Sequence, residues 1–306
     1  MPEVIAILCS DIHLSHRPPI ARSAEPDWYA AMARPLKELK DLSETDDGCV
    51  PIICAGDVFD KWNSSPELIN FALEHLPEMY SIPGQHDLPY HGMEEIKKSA
   101  FWTLMEANKI RSLRSVVVAN GVFALGFPWE ADLRSPKREN DDMLWMAVAH
   151  QYVWTTDDHY VGADPSGQVL SVRKKLQGYD VALFGDNHKG FLLKEKGKPT
   201  IFNAGTLMRR TSAERDYRPM VGLLHEDGTV KKHHLDTSQD KFLDDRALSE
   251  AAEESLMHLE GFLDGLKSLG ESGLDFERAI EKALAGCDAS NSVRRVILEA
   301  MEKGKQ

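Results

Sequence analysis

The sequence lacks any apolar run long enough to span a bilayer, and its start carries no basic leader. Met1-Pro2-Glu3-Val4-Ile5 leads directly into a predicted strand, so we expect neither a signal peptide nor a membrane as partner. Only four cysteines occur among 306 residues, and they show no paired spacing. We therefore expect reduced thiols and a cytoplasmic protein.

Basic residues are also scarce, because 36 lysines and arginines stand against 49 aspartates and glutamates, a net charge of −13. That balance counts against a general nucleic-acid coat, which needs a basic surface. It does not exclude a nuclease, since bound divalent cations reverse the sign of a carboxylate-rich pocket and local basic patches can follow a phosphate backbone.

A chain of this length can bury a large core, and one main domain with an extension is the expected organisation. Strands outnumber helices in the second half, so we predict an α/β (α+β) fold with two sheets packed face to face and helices outside. Residues 1–237 form the predicted main domain, and residues 238–306 a charged, amphipathic helical extension. Main-domain helices are predicted over about 28–42, with Asp27 as N-cap, 66–76, 94–107 and 169–176.

The segment Ala55-Gly56-Asp57-Val58-Phe59-Asp60 follows the apolar run 50–54 and organises the rest of the chain. A buried strand ends there, and the glycine permits a tight turn that presents two carboxylates beyond the strand tip. In α/β sheets, functional sites lie outside the carboxyl ends of the strands. We therefore place Asp57 at the middle of a candidate site.

Four other segments carry metal-binding side chains at predicted strand ends: Asp11-Ile12-His13, Gly84-Gln85-His86-Asp87, His150 and Gly185-Asp186-Asn187-His188. Taken singly, each has an ordinary explanation as a turn, a surface histidine or a satisfied core histidine. Together they predict one centre for two divalent metal ions, in which a bridging carboxylate helps to activate water. Mixed nitrogen and oxygen ligands suit first-row ions such as manganese.

These segments resemble the calcineurin-like metallophosphoesterases, whose pattern is Asp-x-His, Gly-Asp-x-x-Asp, Gly-Asn-His-Asp/Glu, a lone His, and Gly-His-x-His. The match covers about residues 1–235 and implies the metallophosphoesterase fold. It implies that His86 stabilises the phosphoryl transition state and protonates the leaving oxygen, and that Asp60 holds His86 protonated and oriented. The implied ligands are Asp11, His13, Asp57 and His188 for the first metal, and Asp57, Gln85, His150 and Asp186 for the second.

Two positions depart from the family pattern, and both belong to the second metal. Gln85 stands where asparagine is usual and offers its amide oxygen on a longer side chain. Asp186 stands where histidine is usual and replaces a neutral nitrogen with an anionic oxygen. The second site is therefore expected to be harder, favouring Mn²⁺ or Mg²⁺, although the same changes could weaken it.

Within this family the chain is most similar to the SbcD-type DNA repair exonucleases, including phage-encoded versions. The supporting segments are Ser10-Asp11-Ile12-His13-Leu14, Ala149-His150-Gln151 and residues 203–209. The similarity implies DNA as partner and a helical extension that docks an SbcC-like ATPase or forms a homodimer. Arg209 and Arg210, just beyond the site, either bind DNA phosphates or are solvated surface charges.

Three functional hypotheses follow. The first is a metal-dependent DNA exo- or endonuclease acting in repair or recombination. The second is a phosphatase or small-molecule phosphodiesterase of the same fold, which the net acidity favours. The third is a non-catalytic binding protein whose second metal site has decayed, and the presence of His86, Asp60 and Asp57 argues against it.

Overall fold

The computed structural model describes residues 2–45, 48–119, 121–138, 142–155, 159, 163–244 and 246–248. The chain divides into two compact units, Met1–Phe242 and Leu243–Gln306. Most of the predicted helical extension lies outside the described residues. Its helices, its boundary at 237/238 and its role in docking or dimerisation stay predictions.

The first unit is built mainly from β-strands. Fourteen strands lie in the described part of the chain: β1 (Val4–Cys9), β2 (Glu44–Thr45), β3 (Gly48–Cys49), β4 (Ile52–Cys54), β5 (Met79–Ser81), β6 (Ile110–Ser112), β7 (Ser115–Ala119), β8 (Val122–Phe127), β9 (Leu144–His150), β10 (Val181–Gly185), β11 (Phe191–Leu193), β12 (Thr200–Asn203), β13 (Met220–His225) and β14 (Val230–His234).

Two six-stranded sheets carry the architecture, in the orders β14-β13-β1-β4-β5-β6 and β11-β12-β10-β9-β8-β7. In the first sheet β1, β4, β5 and β6 run parallel, and in the second β8, β9, β10 and β12 run parallel. The outer strands β13, β14, β7 and β11 pair antiparallel. Strands β2 and β3 form a separate ribbon.

Side chains alternate along β1, so the first sheet buries both faces. Leu8 packs in the layer between the sheets, with Val148 and Phe202 of the second sheet. Ile7 points to the opposite face and joins the core that includes Leu36 of the first helix. The predicted two-sheet sandwich flanked by helices is confirmed.

Four α-helices lie in the described residues of the first unit: α1 (Trp28–Ser43), α2 (Pro66–His75), α3 (Ala100–Glu106) and α4 (Val169–Val172). The Asp27 side chain caps α1, as predicted, by accepting a hydrogen bond from the N–H of Ala30 at 3.0 Å. Helix α4 continues as a 3₁₀ turn, Arg173–Leu176, over the rest of the predicted helix 169–176.

The single helix predicted over 94–107 is wrong in one respect, because it is broken at Ser99. A 3₁₀ segment, Met93–Lys98, precedes Ser99, and α3 follows it. Ser99 has an extended backbone, and its hydroxyl accepts the N–H of Trp102 at 3.1 Å. A serine that caps the following turn competes with helix continuation, and this explains the break.

Cys9 and Cys54 are buried free thiols that face each other in register on β1 and β4. Among the helices that the structure describes, none combines the length and apolar character that a bilayer span requires.

Candidate metal centre

The carboxyl ends of β1, β4, β5, β9 and β10 are each followed by predicted metal ligands. Because these strands run parallel within their sheets, their ends lie at one edge of the sandwich. The loops after β1 and β4 are joined directly: the N–H groups of Asp11 and His13 donate to the carbonyls of Gly56 and Asp57 at 3.0 and 2.9 Å. The fold thus brings the five segments to one place.

Four predicted ligands have backbone angles in the left-handed region, where side chains are normally disfavoured. The φ values are 50° for Asp11, 51° for His13, 54° for Asp57 and 78° for Asp186. Such strain persists only where the surroundings enforce it, and it concentrates at functional sites. The loops are therefore shaped to aim side chains rather than to relax the backbone.

Gly84 permits the closest approach in the centre. A Cβ atom at Gly84 would lie 2.2 Å from Oδ1 of Asp57 and 2.6 Å from Cε1 of His150. No side chain fits there, so glycine is required for the loop after β5 to pack against the Asp57 loop.

The four ligands expected for the first metal lie together. Nε2 of His13 is 3.1 Å from Nε2 of His188, 3.7 Å from Oδ2 of Asp57 and 3.8 Å from Oδ1 of Asp11. Two imidazole nitrogens at 3.1 Å need a proton or a metal ion between them, because two lone pairs repel. This donor set fits a divalent cation.

The contact between His150 and Asp57 likewise fits a divalent cation, at the position expected for the second metal. Nδ1 of His150 donates to the carbonyl of Ala55 at 2.6 Å, which leaves Nε2 facing Oδ2 of Asp57 at 3.3 Å. Neither of these two buried atoms has a hydrogen-bond partner in the described chain. A buried imidazole nitrogen and a buried carboxylate oxygen that face each other need either a proton or a bound cation between them.

The two positions that depart from the family pattern contact each other. Nε2 of Gln85 donates to Oδ1 of Asp186 at 3.3 Å, and the N–H of Asp186 donates to Oδ1 of Asp11 at 3.1 Å. Both residues therefore lie beside the centre, as expected. Three tight groups have ligand atoms within 4.8 Å of one another: Asp11, His13 and His188; His13, Asp57 and His86; and Asp11, Asp57 and His150.

Burial and mutual repulsion set the protonation of the centre. Burial raises the pKa of Asp186 to about 6 and also raises the pKa of Asp11. Burial opposes the charged form of His150, yet the adjacent Asp57 carboxylate raises the pKa of this imidazole well above its ordinary value. Protons here occupy positions that divalent cations would take, since metal binding displaces protons from its ligands.

Asp60 contacts His86, as expected, but through its backbone carbonyl and not through its carboxylate. Nδ1 of His86 bonds to the backbone carbonyl of Asp60 at 2.9 Å, and the His86 N–H donates to Oδ1 of Asp57 at 2.9 Å. The Asp60 carboxylate instead accepts a hydrogen bond from Nη2 of Arg210 at 2.5 Å. A guanidinium forms strong, charge-assisted hydrogen bonds to a carboxylate, and this explains why the Asp60 carboxylate turns toward Arg210.

Arg209 and Arg210 have different environments. Arg210 reaches the centre through Asp60 and keeps the site-side position expected for it. Arg209 is turned away, because its guanidinium donates to Oδ2 of Asp240 and to the backbone carbonyls of Arg215 and Thr237. The expected phosphate contact by Arg209 is therefore replaced by a structural role.

Glu214 supports the first metal set, and its function was not predicted from the sequence. Its Oε1 lies 3.9 Å from Nδ1 of His188, and its Oε2 accepts the N–H groups of Arg210 and Thr211 at 2.6 and 3.0 Å. A carboxylate behind a ligating histidine orients the ring and raises its basicity. The Thr-x-x-Glu spacing of residues 211–214 was the available signal.

Asp87 supports the loops rather than the metals. Its buried carboxylate accepts the N–H groups of Val58, Phe59 and Gly84 at 3.2, 3.0 and 3.0 Å. Burial, together with the nearby Asp57 carboxylate, raises the pKa of Asp87 to about 7 against the effect of these bonds. This side chain holds the Asp57 and His86 loops together.

The chain is similar to known proteins through solved structures and through one family model. No curated protein sequence matches the chain. Solved structures with a similar fold include a dimetal phosphatase from Danio rerio, 12% identical, covering 77% of this chain and 100% of that one with a TM-score of 0.46. Others are the sulfate thiohydrolase SoxB and a 5'-nucleotidase precursor, both from Thermus thermophilus, at 12% and 13% identity and a TM-score of 0.44 each.

The alignments cover 82% of this chain and 60% of SoxB, and 84% of this chain and 59% of the 5'-nucleotidase precursor. The chain thus spans about three fifths of the length of these two proteins. The family model for calcineurin-like phosphoesterases matches residues 6–190, more than half of the sequence, and covers all five ligand segments. The chain belongs to the calcineurin-like phosphoesterase family.

Proposed function

We propose that the chain is a metal-dependent phosphodiester hydrolase and that its substrate is DNA. The observation that carries the chemistry is the pair of facing buried atoms, Nε2 of His150 and Oδ2 of Asp57, which lie 3.3 Å apart. Family membership supports phosphoester hydrolysis. The choice of DNA depends on the SbcD-like segments and on the local cations described below.

The donor set fits two divalent ions. Asp11, His13, Asp57 and His188 would hold the first, and Asp57, Gln85, His150 and Asp186 the second. Such ions supply Lewis acidity at phosphorus and lower the pKa of water. The amide and carboxylate of Gln85 and Asp186 are hard oxygen donors, which favours Mn²⁺ or Mg²⁺.

His86 is the proposed proton donor to the leaving oxygen. Its Nδ1 is held by the carbonyl of Asp60, which fixes the ring and leaves Nε2 for the substrate. Arg210 is fixed by the Asp60 carboxylate and contributes positive charge near His13 and His188. We propose that Arg210 binds a phosphate oxygen as negative charge develops in the transition state.

The segment 203–209, which resembles the SbcD-type nucleases, braces the centre. The N–H of Thr206 donates to the carbonyl of His188, and the N–H of Leu207 donates to the carbonyl of Asp11, both at 3.1 Å. This supports the nuclease proposal because the segment that resembles the SbcD-type nucleases is hydrogen-bonded to both ligand loops. Action in DNA repair, and an SbcC-like ATPase or a second copy as partner of the extension, are proposed on the resemblance alone.

The test is manganese-dependent cleavage of end-labelled linear single- and double-stranded DNA by the wild type, His86→Ala and Asp57→Ala. The proposal predicts cleavage that both substitutions abolish, and the product ladder gives the polarity. Bis-p-nitrophenyl phosphate is the companion substrate. Cleavage that persists in both variants, or that requires no divalent metal, would contradict the proposal.

The second candidate is a phosphatase or small-molecule phosphodiesterase. Two observations favour it: the net charge of −13 and the engagement of Arg209 with Asp240 rather than with solvent. Mutant-sensitive hydrolysis of bis-p-nitrophenyl phosphate without any DNA cleavage would select this candidate.

A further inference from the structure

An exposed aromatic residue follows His86 in the chain. Tyr90 is 65% exposed, and its ring centroid lies 5.8 Å from that of Trp62, with the ring planes inclined by 49°. Tyr90 and the next residue, His91, both have left-handed backbones, with φ of 52° and 62°. A strained loop that displays an aromatic ring to solvent indicates a role in ligand binding.

Both rings belong to chain segments that also hold or carry His86. Trp62 comes two residues after Asp60, whose carbonyl holds Nδ1 of His86, and Tyr90 comes four residues after His86 itself. The carbonyl of Trp62 accepts the N–H of Ala100, the first residue of α3, at 2.8 Å. The aromatic pair is therefore carried by the two chain segments that also hold His86, and Trp62 is bonded to the start of α3.

A polar groove of 470 Å³ lies beside Asp60, between the loops that follow β1 and β4. Arg17 and Lys61 line it, and both are exposed. Neither side chain makes an ion pair or a hydrogen bond with any residue for which the structure gives a position. Two unpaired cations near a phosphoesterase centre in an acidic protein are suited to anionic groups of a substrate.

We propose that Tyr90 and Trp62 form a stacking platform for a nucleobase of the substrate strand, and that Arg17 and Lys61 bind phosphates of that strand. The inference rests on the proposed DNA function and specifies its substrate as an unpaired strand or strand end. A base inside a duplex has both faces covered, whereas an unpaired base offers a face to an aromatic ring. Such stacking tolerates any sequence, which fits a nuclease without base readout.

The platform is tested by DNA binding in the His86→Ala background, in which the strand stays intact. Single-stranded oligonucleotides carry 2-aminopurine, whose fluorescence is quenched by stacking. We expect quenching, and we expect Tyr90→Ala to abolish it and to raise the Kd about tenfold. Tyr90→Phe, which keeps the ring, retains both signals. Arg17→Ala with Lys61→Ala raises the Kd further and flattens its salt dependence.

Leu170→Ala, at an apolar residue 57% exposed on α4, and Lys232→Ala on β14 are the matched controls and leave DNA binding unchanged. Hydrolysis of bis-p-nitrophenyl phosphate by Tyr90→Ala stays at the wild-type rate, because this ester has no base to stack. Equal Kd values for Tyr90→Ala and Leu170→Ala in the His86→Ala background, together with DNA cleavage by the protein that retains His86, overturn the platform alone. A wild type that neither binds nor cuts DNA, yet hydrolyses the ester through His86, overturns the DNA function and the platform together.

Discussion

Two clusters of buried charge lie in the first unit, and they are satisfied in different ways. In the metal centre, Oδ2 of Asp57 and Nε2 of His150 are buried and have no hydrogen-bond partner in the described chain. In the second cluster, the guanidinium of Arg22, which is 2% exposed, donates to Glu25 at 2.5 Å, to Asp240 at 2.9 Å and to the carbonyls of Arg209 and Lys241.

The Arg22 cluster stabilises the fold, whereas the metal centre serves function. Buried polar groups normally find partners inside the protein, as Arg22 does, and such a network specifies one arrangement of the chain. Buried polar atoms of the metal centre lack such partners within the described chain, and the backbone of the centre is strained at Asp11, His13, Asp57 and Asp186. A site that keeps acceptors free is built for an external cation. Four substitutions test this contrast.

Asp57→Asn is expected to lower phosphodiesterase activity more than about 10³-fold, because both proposed metal ions lose the shared carboxylate. The free energy of unfolding without metal should stay within about 1 kcal/mol, since the amide oxygen can still accept the N–H of His86 and a crowded charge is removed. Bis-p-nitrophenyl phosphate rates and urea unfolding in chelator measure the two effects. A strongly destabilised variant would show that Asp57 is structural.

Gly84→Ala should abolish activity and destabilise the fold by about 1–3 kcal/mol, because the new methyl group meets Asp57 at 2.2 Å. Gly92→Ala is the control, since its methyl group meets only the terminal carboxylate of Glu94, which is exposed and can move. Thermal unfolding and ester hydrolysis of both variants measure the effect. Equal behaviour of the two variants would contradict the tight packing around Asp57.

Glu214→Gln should weaken Mn²⁺ binding by about 10–100-fold, because His188 loses the anion behind its Nδ1. The amide oxygen can still accept the N–H groups of Arg210 and Thr211, so the turn persists. Calorimetric titration compares this variant with Glu106→Gln, an exposed glutamate on α3. Equal affinities for the two variants would remove Glu214 from the metal centre.

Glu25→Gln should lower stability by about 2 kcal/mol at pH 7, because Arg22 and Arg34 lose a charged partner. Burial opposes ionisation of Glu25, but the Lys241 N–H and both guanidinium groups hold its pKa below the ordinary value. A lowered folded-state pKa contributes stability above the unfolded pKa of about 4.3, and this stability is lost as pH falls through the folded pKa.

The difference in the free energy of unfolding between wild type and Glu25→Gln should therefore narrow as the pH is lowered from about 5 to 3. The activity of the variant with the ester substrate should stay near that of the wild type. Urea unfolding at several pH values measures the difference. A difference that widens on acidification would reverse the assigned sign of the Glu25 pKa shift.

The position of the ligands was predictable because it follows a local rule. Asp11, Asp57 and His188 each come just after an apolar strand, and parallel strands end at one edge of a sheet. The two-sheet sandwich was predictable from the number of strands in the second half. The break at Ser99 was missed because a capping serine inside an amphipathic pattern gives a weak signal.

Contacts between distant segments were not predictable from spacing. The Asp60 carboxylate pairs with Arg210, 150 positions along the chain, and only the backbone carbonyl of Asp60 contacts His86. Arg209 and Arg210 are adjacent in sequence, yet one stabilises the chain near Asp240 and the other reaches the centre. Only the fold decides which acid each guanidinium meets.

The central claim is that the Asp57 centre binds two divalent ions. Calorimetric titration of Mn²⁺ into the metal-free full chain tests it directly, with Asp57→Asn and Glu25→Gln titrated in parallel. The account predicts about two ions per chain for the wild type and for Glu25→Gln, and a loss of both tight sites in Asp57→Asn. Wild-type stoichiometry and affinity in Asp57→Asn, or no binding by any of the three proteins, would contradict it.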